Sequence, residues 1–293
     1  MMRFDRKRRV RLLAAAGLLL TALIWGSAFV VMKSSVELIP PTYLLALRFT
    51  VAAAALGILF FPLVRRTTRL DFKCGTVLGA LLFVSYFLQT YGLKYTTASK
   101  NAFITTLYVI LVPFINWGVN RLRPGRNNLV AAAAAVVGLG LITLDGDLGI
   151  NRGDLLTLVC SIAFSLHMVF IARYTKDRNP LLMTFFQMAV SAVLSWCAAP
   201  LLEGGFPAAA LASPGILPGI LYLGLGSSML GFLLQTVGQK YLSANTSSIL
   251  LSFESVFGLV FAVIFLNDPL TMKLLAGCAF MFGAVIVSEY KNG

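Results

Sequence analysis

The chain has 293 residues, 58% of them apolar and only 12% Asp, Glu, Lys or Arg, with a formal net charge of +13. A typical soluble domain carries about twice that charged share, and here the apolar residues come in runs of about 20, the length a helix needs to cross about 30 Å of hydrocarbon. A single soluble core and a soluble catalytic domain are thereby excluded. Inside lipid every backbone amide pairs within its own segment, so the runs are helices.

Ten helices are expected in chain order. Helix 1 covers about 12–32, helix 2 about 42–62, helix 3 about 75–92, helix 4 about 98–119 and helix 5 about 129–144. Helix 6 follows at about 154–171, helix 7 at about 181–200, helix 8 at about 216–236, helix 9 at about 244–266 and helix 10 at about 273–287. The breaks carry turn formers: Pro40-Pro41, the polar stretch 121–128, Asn179-Pro180 and Asn267-Asp268-Pro269. The segment 203–214 reads as a Gly/Ala/Pro loop without regular structure. The basic start and first apolar run have the look of a signal peptide. The run continues through Trp25, Phe29 and Met32 with no clear small-residue cleavage site, so it reads as a retained first helix.

The basic balance invites a nucleic-acid reading, but its distribution argues for membrane topology instead. Eighteen Lys and Arg fall on one side of a ten-span chain: six from Arg3 to Arg11, four over 65–73, three over 121–126, three over 173–178, and Lys240 and Lys291. Five fall on the other side, Lys33, Lys94, Lys100, Arg152 and Lys273, while Arg48 lies within helix 2. Positive charge collects on the cytoplasmic side. The expectation is a multi-pass protein of a bacterial inner (plasma) membrane with both termini cytoplasmic. Cys74, Cys160, Cys197 and Cys278 lie in or beside spans without metal-like spacing and read as small packing residues.

Internal repetition organises the chain. Residues 89–98 read QTYGLKYTTA and residues 235–244 read QTVGQKYLSA, with six of ten positions identical at an offset of 146. Pro41 precedes Arg48 by seven residues, as Pro180 precedes Gln187, and Gly138 and Gly283 occupy like places in helices 5 and 10. The halves are therefore 1–145 and 146–293, five helices each. An odd number of spans per half makes the second copy enter the bilayer from the opposite side. The expected fold is all-α integral membrane, ten transmembrane helices as two inverted five-helix repeats. Such repeats provide two states facing opposite sides around a midplane site.

At this point the chain resembles the EamA branch of the drug/metabolite transporter superfamily. The resemblance rests on five-plus-five helices, Trp25-Gly26-Ser27-Ala28-Phe29 in helix 1, Arg48 in helix 2, GLKYTTASKNAF over 92–103, and GQKYLSANTSSILLSFESVFG over 238–258 with Glu254. The place in helix 6 that matches the helix 1 motif reads SIAFSLH over 161–167 and lacks the Trp. The resemblance implies a secondary transporter, with many members exporting amino acids and other metabolites.

Two full charges lie well inside spans, Arg48 and Glu254. A charge there is costly unless paired or hydrated. Glu254 shares a helical face with Ser247, and its repeat counterpart Tyr108 shares one with Asn101 and Thr105, so helices 4 and 9 turn polar groups toward one place. Glu254 is expected to line a central cavity and to bind a cationic group or carry a coupling proton; the alternative is a structural carboxylate. Arg48 either contacts substrate, snorkels, or holds helix ends or a carboxylate such as Glu254. His167, the single histidine, is a relay candidate or a packing residue, and Gln89 and Gln235 either bond substrate or clamp helices. Trp25, Phe29, Tyr86, Tyr108, Phe164, Phe253 and Phe257 are the aromatics expected around the cavity. Gly138, Gly140, Gly277 and Gly283 permit close packing of helices 5 and 10, internally or in a weak dimer.

The candidate substrate-binding set is thus Glu254, Tyr108, Trp25, Asn101, Ser247, Arg48, His167, Gln89 and Gln235. No catalytic residue, metal site or cofactor is expected. A membrane enzyme needs clustered acidic or His residues such as DDxxD, and none occurs; no P-loop GxxxxGK[ST] is present, so ATP is not the direct energy source. The expected partners are a small-molecule substrate, the lipid bilayer and the proton as coupling ion, with a monomer or weak homodimer. The expected activity is alternating-access transport of an amino acid or related amphipathic compound, with export favoured; the alternative is an importer or channel-like facilitator for an amine or drug-like cation.

Overall fold

The computed structural model describes residues 2–143 and 151–289, and every described element is helical. The expected boundary between the halves at 145/146, the predicted last residue of helix 5 and Lys291 lie outside the described residues. We number the main helices α1 (Met2–Val36), α2 (Pro41–Leu59), α3 (Arg69–Tyr95), α4 (Ala98–Asn120), α5 (Arg126–Thr143), α6 (Arg152–Tyr174), α7 (Pro180–Glu203), α8 (Ile216–Tyr241), α9 (Ala244–Leu266) and α10 (Met272–Glu289). Eight of these are long and apolar enough to cross a membrane; the apolar stretches of α5 and α10 are shorter, at Leu129–Leu141 and Met272–Ala284.

Local chemistry sets the ends. Thr68 and Asp71 form a reciprocal capping box at the start of α3, and Thr97, Asn151, Asn179 and Ser243 each accept a backbone N–H at the start of α4, α6, α7 and α9. Two departures from the sequence reading matter. First, α4 is interrupted at Thr106–Leu107, giving Ala98–Thr105 and Tyr108–Asn120. Second, Tyr222–Gly231 within α8 is π-helical, a wider turn that the glycines Gly224, Gly226 and Gly231 favour. The 203–214 loop carries a short 3-10 turn, Ala208–Ala212.

The exterior is apolar to a degree that a soluble protein avoids. Ile58, Leu201 and Met272 are about 80% exposed or more, while Thr21, Arg48, Thr90, His167, Gln187 and Ser191 are fully buried. An apolar periphery suits lipid outside, while the interior combines an apolar core with buried polar side chains.

Packing partners come in corresponding pairs. Helix α1 packs on α9 and α8, and α6 packs on α4 and α3. Likewise α2 packs on α8 and α7 on α3, while α2 meets α7, α4 meets α9 and α5 meets α10. Each pairing maps onto another, or onto itself, when α1–α5 exchange with α6–α10. Direction can be read from contacts. Lys33 at the end of α1 donates to the carbonyls of Leu93 and Thr96 at the end of α3, so α1 and α3 run parallel. Gly219 at the start of α8 faces Val31 and Ser35, and Gly238 near its end faces Leu18, so α8 runs antiparallel to α1. Helices α3 and α8, which carry the repeated motif, thus run in opposite directions. Glycines set the closest approaches: a Cβ on Gly138 would meet the Gly277 carbonyl at 2.9 Å, seating α5 on α10, whereas Gly283, expected in the same role, has open space beside it.

Three expected packing cysteines are buried, but Cys197 is exposed, because its face of α7 turns outward.

Candidate functional site

A cavity lies where the halves meet. Its walls come from α1 (Trp25, Ala28, Phe29, Met32), α2 (Arg48), α3 (Tyr86, Gln89), α4 (Thr105, Tyr108), α6 (Phe164, Met168), α8 (Ser227, Gln235) and α9 (Glu254). It measures about 20 Å³ in this conformation, room for little more than a water molecule. The site is therefore assembled but contracted.

Glu254 and Tyr108 form its acidic pole. The Tyr108 hydroxyl donates to Glu254 Oε1 at 3.0 Å, and both residues are buried. They are 146 residues apart, the repeat offset, so two counterparts of the duplication bond each other. The break in α4 puts Tyr108 at the start of a new helical segment, which lets its ring reach α9.

Arg48 forms the basic pole. It is fully buried, so the expected snorkelling to a helix end does not occur. Pairing with Glu254 does not occur either: among the described residues no carboxylate lies within ion-pair distance of Arg48. Instead Nε donates to Ser228 Oγ and Nη2 to Ser227 Oγ, each at 2.8 Å, and Nη1 contacts Met32 Sδ at 3.0 Å. The guanidinium carbon lies 4.7 Å from the centre of the Tyr86 ring, a cation–π arrangement. The reason is helix packing. Gly224 has no side chain to hold α2 away; a Cβ there would meet Val51 Cβ at 2.7 Å and the Arg48 carbonyl at 3.2 Å. The π-helical turn then presents both serines to the guanidinium. Ser227 is doubly engaged, since its carbonyl also accepts Trp25 Nε1–H at 3.0 Å.

An aromatic floor links the poles. Trp25 packs on Phe232 with ring centres 4.8 Å apart, and Tyr86 packs edge-on against Phe164 and Phe49. Five of the seven aromatics expected at the cavity line it. Phe253 instead meets Phe282 of α10, and Phe257 packs against Gly26 in the α1–α9 contact.

Six of the nine candidate residues line the cavity: Glu254, Tyr108, Trp25, Arg48, Gln89 and Gln235. Gln89 donates from Nε2 to Thr105 Oγ1 at 3.2 Å, while Gln235 Oε1 has no hydrogen-bond partner among the described residues. The other three stand apart. Asn101, nearer the start of α4, donates to Thr157 Oγ1 on α6 at 2.8 Å. Ser247 is buried two turns before Glu254, its hydroxyl without a partner among the described residues. His167 Nε2 lies 2.8 Å from Gln187 Oε1, and Gln187 donates onward to Thr236, so α6 turns the imidazole toward α7 and α8 rather than the cavity.

Sequence reading missed Ser227 and Ser228, whose signal was the GLGSS run inside an apolar helix. It also missed Glu203. At the end of α7, Glu203 accepts the Thr42 N–H on both oxygens at 2.9 and 3.1 Å, the Tyr43 N–H at 3.2 Å, and the hydroxyls of Thr42 and Tyr91. This ties the end of α7 to the N-terminus of α2, where a carboxylate is favoured by the helix dipole, and to α3. Nearby, Thr96 donates to Asp154 at 2.6 Å and Ser99 to Asp268, from its hydroxyl at 2.7 Å.

Apolar helices turned outward and polar side chains gathered at an internal cavity define a multi-pass membrane protein. Residues 12–144 and again 151–290 match the EamA-like transporter family. An uncharacterized transporter of Archaeoglobus fulgidus is 32% identical over 277 residues, spanning 94% of this chain and 86% of that protein. The uncharacterized transporter YetK of Bacillus subtilis is 25% identical over 281 residues, spanning 92% of this chain and 84% of its own length. A solved crystal structure shares the fold with a TM-score of 0.69 at 20% identity, covering 94% of this chain and 97% of that one. The chain belongs to the EamA-like transporter family.

Proposed function

We propose that this protein is a secondary transporter that moves a small metabolite, an amino acid or a related amphipathic compound, across the bacterial inner membrane by alternating access, in the export direction. The observation that carries the reading is the contracted cavity at the junction of the two halves, with one acidic and one basic side chain on walls from different halves. Ten spans arranged as inverted repeats are supported by the exchange-related packing pairs, by the opposite directions of α3 and α8, and by the bond between the counterparts Tyr108 and Glu254. The Lys/Arg distribution supports cytoplasmic termini. Glu254 binds a cationic group or carries the coupling proton, and the aromatic floor holds the apolar part of the substrate.

The test is flux in proteoliposomes with a panel of radiolabelled amino acids. At least one is expected to show saturable uptake that unlabelled compound inside the vesicle accelerates. Flux that rises linearly with concentration and shows no exchange points to a channel and removes the carrier reading.

A further inference from the structure

Arg48 is a fully buried cation with no carboxylate within ion-pair distance among the described residues. A guanidinium has five N–H donors. Three donate to two serine hydroxyls and one thioether, and the Tyr86 hydroxyl lies close beside the guanidinium, all neutral groups. Nη1 and Nη2 each carry a second N–H, and among the described residues the Tyr86 hydroxyl is the one further neutral group beside them. A pair of donors on the two terminal nitrogens matches the two oxygens of a carboxylate, the bidentate geometry in which Arg binds most strongly. Burying the charge without a counter-charge is costly, and the described residues do not supply one. Gln235 Oε1, which lines the same cavity, is likewise a buried acceptor without a donor among the described residues. Two unsatisfied groups of opposite hydrogen-bonding sense on one cavity are what a bound ligand completes.

We propose that Arg48 is the receptor for a carboxylate on the transported compound, so that the substrate class is carboxylates with an apolar or aromatic body. This rests on the reading of the cavity as the transport site. Ser227 and Ser228 act as positioning residues: their hydroxyls fix the guanidinium plane, and the Trp25 bond to the Ser227 carbonyl fixes the turn that carries them. The rings of Trp25, Tyr86 and Phe164 receive the body of the ligand. Gln235 Oε1 accepts a donor from it.

The test compares acids with their neutral amides, in carboxylate-free buffer, by thermal shift of the purified full-length protein. The probes are benzoate against benzamide and phenylacetate against phenylacetamide, with phenethylamine as the cationic control, at millimolar concentrations. The acids are expected to raise the melting temperature and the amides not to, because only a ligand that binds the folded state stabilises it, while any protection by phenethylamine comes from Glu254 and survives Arg48→Gln. Arg48→Gln is expected to weaken acid binding by about tenfold or more, with Arg48→Lys intermediate because it keeps the charge but loses the fork. The paired Ser227→Ala and Ser228→Ala variant weakens it less, and the wild-type acid–amide comparison stands whether or not any variant folds. Equal protection by amides, undiminished acid protection in folded Arg48→Gln, or no protection by any acid each overturns the proposal. Transport is decided separately in the flux assay: saturable amino acid flux that survives Arg48→Gln unchanged sinks the carboxylate receptor and leaves the carrier standing, whereas no saturable flux in wild type removes the carrier itself.

Discussion

Among the described residues Glu254 takes one hydrogen bond, from Tyr108, and it borders a space of about one water. If it binds a cation or carries a proton, Glu254→Gln keeps shape and removes charge. The expected result is a fall in flux of at least about tenfold with a flattened pH profile; full transport with the wild-type pH dependence would show a structural carboxylate. Tyr108→Phe removes the donor alone and should cost about 1–3 kcal/mol of stability by thermal melting, as loss of a hydrogen bond to a carboxyl group does. Arg48 and Glu254 do not touch, so their stability effects should add to within about 0.5 kcal/mol in a double-mutant cycle. Strong coupling would mean that they pair directly in another conformation.

Among the elements, α8 does most to shape the site. Its π-helical turn and its glycines bring α2 and α1 close enough for Arg48 and Trp25 to reach Ser227. Gly231 lies against the Trp25 indole, where a Cβ would come within 2.5 Å of Nε1. Gly224→Ala must push Val51 and the α2 backbone away and is expected to destabilise by about 1–3 kcal/mol and to weaken substrate affinity. Gly118→Ala is the control: nothing lies within 4 Å of that position, and α4 should gain up to about 1 kcal/mol of helix propensity. Equal effects of the two on melting temperature would mean that α2–α8 contact does not set stability.

For the whole molecule, the described conformation is fastened at the end where α2 begins. Glu203 joins α7 to α2 and α3, Lys33 joins α1 to α3, and Ser99 and Thr96 bond Asp268 and Asp154. At the opposite end the described ion pair is Arg178 with Asp71, at 3.4 Å. The alternating access proposed above requires the first end to part. Cysteines placed at Thr42 and Glu203 and bridged by a short bifunctional reagent should stop transport, and release of the bridge should restore it; transport through the bridged protein would mean that this end never opens. Inversion of the halves has its own check. Single cysteines replacing Lys94 and Lys240 should react with an impermeant maleimide from opposite sides of the membrane, and reaction from one side would remove the symmetry.

Much was legible in the sequence because membrane insertion acts on local composition. Run length and turn residues located the eight long apolar helices and the two shorter apolar stretches, although α1 begins ten residues before its expected start, α3 six, and α4 is broken in two, and the repeated QTxGxKYxxA marked the duplication. The same reading grouped Glu254, Tyr108, Trp25, Arg48, Gln89 and Gln235 with Asn101, Ser247 and His167, since in lipid a polar side chain on an apolar helix is driven toward the protein interior, but the last three are buried away from the cavity. Tertiary structure alone decided what each one touches. Arg48 meets α8 rather than Glu254 because Gly224 and a widened turn let two helices 180 residues apart close on each other. His167 turns to Gln187, and Glu203 becomes a three-helix fastening, through contacts that no periodicity encodes. Hydropathy depends on each segment by itself, whereas the direction of a buried polar group depends on which neighbour lacks a side chain at the point of approach.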